Sequence, residues 1–63
     1  MIDVGDYLYV NEQYNGLAKG VEVQILAVKD HKCEVISIDK PEIWVKDVPT
    51  ELLSTNKPEN DEF

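Results

Sequence analysis

The chain contains no arginine; its six basic residues are all lysines. That removes the planar guanidinium fork that clamps phosphates and carboxylates in pairs of bonds. There is one cysteine, Cys33, so no disulfide can close within the chain, and one histidine, His31. A structural zinc site needs four ligands of these kinds, and His31 with Cys33 offers two. Asp39 and Glu42 follow no calcium-loop pattern. No metal and no cofactor is expected. No apolar run is long enough for a membrane span or a secretory signal, so the expectation is a cytoplasmic protein, away from membranes, with its thiol in the core.

The same scarcity argues against catalysis. Nucleophilic catalysis needs a nucleophile, a base and a group that orients the base. His31 and Cys33 are close in sequence, but no third partner is evident, and His31 reads most simply as a solvated turn residue. A chain of 63 residues also has too small a core to enclose a deep substrate cavity. No catalytic residue is assigned, and the chain is not expected to be an enzyme.

Charge is plentiful but one-sided. Thirteen acidic side chains against six basic ones leave a net charge of −7 and an isoelectric point near 4.4. Nucleic-acid affinity is built largely on basic side chains neutralising phosphates, so direct nucleic-acid binding is disfavoured unless Lys19, Lys29, Lys32, Lys40 and Lys46 cluster. The acidity serves either solubility or a basic partner.

What is present is a β pattern. Three apolar runs, 21–28, 33–38 and 43–45, rich in Val, Ile and Trp, are divided by the short polar turns 30–32 and 39–42. They predict an antiparallel meander. Before them, 1–10 reads as a first strand, through Val4 and Tyr7 to Val10 with Gly5-Asp6 as a turn or bulge at its start, and with Leu8 and Val10 on one face and Tyr7 and Tyr9 on the other. Residues 11–20 form a long loop anchored by Tyr14 and Leu17, with Asn15-Gly16 as a tight turn at its tip. Within the second and third strands the apolar parity switches, from Val21, Val23 and Ile25 to Leu26 and Val28, and from Cys33 and Val35 to Ile36 and Ile38. Bent, bulged strands of a closed barrel show such a switch.

Pro49 predicts a short helical turn, capped by Asp47 or Thr50, with Leu52 and Leu53 closing the barrel as a brief last strand. The expected organisation is a β-barrel domain over 1–54 and an acidic, flexible tail over 55–63. The fold class is all-β: a five-stranded barrel with a helical turn before its last strand.

Gly5-Asp6 before the first strand, the long loop, the three meander strands, Trp44-Val45 and the run Asp47-Val48-Pro49-Thr50-Glu51-Leu52 together resemble a Src-homology-three-like small barrel of the bacterial and phage type or the KOW/Tudor-like type. The resemblance spans about residues 4–53. It is one of layout: the Ala-Leu-Tyr-Asp-Tyr stretch and the double tryptophan of the eukaryotic peptide binders are missing. It implies a binding surface of aromatics beside the first loop, which here means Tyr7, Tyr9, Tyr14 and Trp44. The alternative for Trp44 and one tyrosine is that they complete the small core. Size, acidity and the lack of a catalytic set also resemble accessory proteins of phages and mobile elements.

Two functional expectations follow. The first is a non-enzymatic module that binds a basic or proline-containing protein surface through Tyr7, Tyr9, Tyr14 and Trp44, as an adaptor or inhibitor. The second is an acidic mimic of DNA, or of a single-strand-binding protein's tail, that inhibits a DNA-handling enzyme. Asp61, Glu62 and Phe63 carry the second, since they resemble the acidic tip of those tails, although the usual Pro before the Phe is absent. A solvated tail is the plainer alternative. An exposed sheet edge would also permit a homodimer.

Overall fold

The computed structural model describes residues 2–58. The tail residues 59–63, with Asp61, Glu62 and Phe63 among them, lie outside the described residues, as does Met1. Five antiparallel strands form one sheet: β1 (Tyr7–Val10), β2 (Glu22–Lys29), β3 (Lys32–Ser37), β4 (Trp44–Pro49) and β5 (Leu53–Ser54). A single 3-10 turn, Thr50–Leu52, separates β4 from β5. The spatial order is β4-β3-β2-β1-β5.

That order forces the sheet to curl. β4 and β5 are its opposite edges, and in a flat sheet of five strands they would lie about 19 Å apart. From Pro49 to Leu53 the chain has four Cα steps, which reach about 14 Å when fully extended and less through a 3-10 turn. The edges must therefore approach each other, and the architecture is the small five-stranded barrel expected from the sequence layout. Burial agrees. Val10, Val23, Ile25, Val35 and Val48 are fully buried although, among the described residues, no second sheet or helix layer covers them, so the sheet covers itself.

The parity switch expected in the second strand has a local cause, whereas the one expected in the third is absent: Cys33, Val35 and Ser37 all face inward, and Ile36 and Ile38 lie on the outward parity. The β2–β3 ladder shifts between Ile25 and Ala27, leaving Leu26 as an extra residue. The β3–β4 ladder shifts between Cys33 and Val35, and there β4 carries the extra residue, with Asp47 at φ 60. Each bulge bends its strand and adds twist. β4 consequently runs on to Pro49, beyond the expected apolar run 43–45. The helical turn is capped differently from expectation. Pro49 occupies the cap position, no side chain bonds to it, and Asp47 is used by the bulge instead.

The long loop folds back as anticipated. Tyr14 and Leu17 exchange two backbone hydrogen bonds, both 2.9 Å, around Asn15 (φ 46) and Gly16 (φ 94). Positive φ at both central positions marks the hairpin turn that Asn-Gly favours. At the loop's base, Gly20 donates to the Val10 carbonyl and Val10 to the Val21 carbonyl. This delivers Leu17 into the core, 1% exposed, as a plug. Cys33 also lies in the core, and burial raises its pKa above the ordinary thiol value.

Candidate functional site: an aromatic row on the outer sheet face

With Leu8 and Val10 turned into the core, Tyr7 and Tyr9 face outward. The register then carries that face across the sheet. Tyr7 lies opposite Gln24, Gln24 opposite Ile36, and Ile36 opposite Trp44. These four residues form one row across β1, β2, β3 and β4. Its ends are aromatic and open to solvent: Tyr7 is 57% exposed and Trp44 59%. Three strand spacings set them about 14 Å apart. A second row runs beside the first. Tyr9 lies opposite Glu22, and the Glu22 carbonyl accepts from the Ile38 amide at 3.0 Å, bringing exposed Ile38 alongside.

Side-chain hydrogen bonds hold the row's ends. The Trp44 indole N–H donates to a Glu34 carboxylate oxygen, and Gln24 Nε2 donates to the Tyr7 hydroxyl at 3.5 Å. The indole is thus laid along the β3–β4 surface. A ridge with aromatic ends, Gln24 and Ile36 between them and Glu22 and Glu34 at its flanks, is suited to covering apolar surface beside a basic rim. It lies on the convex side of a curled sheet, so it presents a ridge to a concave partner.

Of the four expected aromatics, the structure brings Tyr7, Tyr9 and Trp44 onto this face and leaves Tyr14 out of it. Tyr14 packs against the core cluster, and its hydroxyl donates to the Asp47 carbonyl at 3.3 Å. Gln24, Ile36 and Ile38 were not among the expected site residues; Ile36 and Ile38 figured in the sequence only as a sign of changing strand parity. The signal was there: all three share the outward parity of their strands, and only the register was lacking.

His31 stands exposed at the β2–β3 hairpin, whereas Cys33 is buried, 2% exposed. Among the described residues there is no cluster of three or more His, Cys, Asp or Glu placed to hold a metal ion, and no helix long and apolar enough to cross a membrane. Compared with known proteins, the chain matches no family model, no curated protein and no solved structure.

Proposed function

We propose that this chain is a non-enzymatic protein-binding module that acts by covering a partner's surface with its outer sheet face, as an adaptor or inhibitor of the kind phages and mobile elements encode. The observation that carries the reading is the row from Tyr7 to Trp44, which leaves two large aromatics more than half exposed in a small barrel whose other large apolar side chains mostly pack inward. Exposed contiguous apolar patches on small proteins commonly mark interaction sites, and Trp and Tyr are enriched among residues that dominate binding energy. Glu22 and Glu34 beside the row favour a partner with basic residues around its apolar groove.

The acidic-mimic reading competes with this one, and the net charge of −7 favours it. Salt and mutation separate the two. Capture of the partner from host lysate is carried out at low and high salt with the full chain, with Trp44→Ala, and with a chain ending at Pro58. Retention at high salt together with loss in Trp44→Ala supports the ridge. A partner that handles DNA, released by salt or by removal of residues 59–63 and indifferent to Trp44→Ala, would replace the ridge with the mimic.

A further inference from the structure

We infer that the β2–β3 hairpin end of the barrel carries a second binding site, one that takes a single phosphate group. A hollow of about 150 Å³ opens beside the two bulges, with Ala27 and Cys33 in its lining. Lys29 of β2, Lys32 of β3 and Lys46 of β4 line it. Half of the chain's six basic residues therefore meet at one place on a strongly acidic protein. Lys19 and Lys40 take no part in its lining.

Lys29 and Lys32 are directly opposite each other in the ladder, as the pair that closes the hairpin. Like charges so placed destabilise a sheet. Lys46 adds a third ammonium to the same hollow, so a bound anion would relieve a repulsion built into the free protein. Two carboxylates, Glu34 and Asp47, share the lining. Glu34 already accepts the Trp44 indole N–H, and within this hollow three ammoniums face two carboxylates, the third nearby carboxylate, Asp30, lying toward the hairpin tip. Asp30 and His31 border the adjoining hollow at the hairpin tip.

The ligand's chemistry follows from these groups. Lysine binds phosphate as a point charge and needs no planar fork, which suits a chain without arginine. The hollow has room for one tetrahedral oxyanion. The flanking carboxylates disfavour a continuous phosphate backbone, so a phosphate monoester is favoured over a nucleic-acid strand.

The site is tested with inorganic phosphate on the full chain, followed by backbone amide shifts and thermal melting. Expected are saturable shifts confined to residues 27–34 and 46–48, and a phosphate-dependent rise in melting temperature. Lys29→Gln and Lys46→Gln should each weaken binding about tenfold, the loss of one charge-assisted contact. Lys32→Gln should melt higher than the parent without phosphate and gain less from it, while Tyr7→Ala, on the aromatic row, binds phosphate as the parent does. Shifts that never saturate, or that chloride reproduces at matched ionic strength, would overturn the site. So would a single-stranded oligonucleotide that binds more tightly than phosphate with a footprint reaching Trp44 and Tyr7, since strand binding would then be the better account.

Discussion

The Tyr14 hydroxyl donates to the backbone carbonyl of Asp47, thirty-three residues further along the chain. This contact ties the long loop after β1 to β4, the far edge strand of the sheet. Among the described residues no strand pairing joins β4 to β1 or β5, so this bond links parts of the barrel that the ladders leave unconnected. Tyr14→Phe should cost about 0.5–1.5 kcal/mol, the net worth of one such bond, and Tyr14→Ala distinctly more because the ring also packs on the core. Urea denaturation of both variants checks this, and Tyr14→Phe should bind the partner as the parent does.

Trp44→Ala and Tyr7→Ala should behave in the opposite way. Both side chains are largely exposed, so stability should change by less than about 1 kcal/mol. Loss of an aromatic anchor that dominates an interface commonly costs at least about 2 kcal/mol of binding, a factor of roughly thirty. Calorimetry with the captured partner measures it. Unchanged affinity in both variants would rule out the ridge as the docking face.

Leu17 enters the core from a loop and not from a strand. Leu17→Ala should therefore cost about 2–5 kcal/mol, as for a core leucine. That is comparable to the whole stability expected of so small a domain, and circular dichroism at room temperature should show substantial unfolding.

Gly16 at φ 94 sits in a conformation that a side chain disfavours, although open space surrounds it. Gly16→Ala should destabilise by about 1–2 kcal/mol through the backbone alone. Asn15→Gly should be close to neutral, since φ 46 suits glycine as well. Chemical denaturation of the two variants separates backbone strain from steric clash.

Burial raises the Cys33 pKa above its ordinary value of 9.0. Well below pH 9 the thiol is neutral in both folded and unfolded chains, so it contributes no pH dependence there. As pH rises past the unfolded value, the unfolded chain loses its proton first and stability falls through the folded pKa. Denaturation midpoints at pH 7 and pH 10 should show the loss, and Cys33→Ala should lessen it. A thiol reagent at pH 7 should modify Cys33 only after unfolding.

Much of this arrangement was legible in the residues. The alternation of Tyr7, Leu8, Tyr9 and Val10 fixed which side of β1 faces the core, and Asn15-Gly16 announced its turn through the backbone preference of both residues. Less accessible was β4. Its continuation through Asp47 depends on an aspartate taking positive φ, which polar residues tolerate but which nothing in the neighbouring sequence marks. Tyr14 showed that the loop had an anchor without showing which edge received it. The row from Tyr7 to Trp44, and the meeting of Lys29, Lys32 and Lys46, depend on ladder register. Register is set by the bulges, and periodicity reveals only that a bulge exists, not which residue occupies it.

The pairing of β5 with β1 also governs how the protein bears a load. Tyr9 lies opposite Ser54 and Val10 opposite Leu53, and the strands run in opposite directions, so the segments leading into β1 and out of β5 depart from the same end of the pair. Tension applied between them peels the contacts one after another instead of shearing them together. The barrel should accordingly yield at low force in a pulling experiment from those two ends.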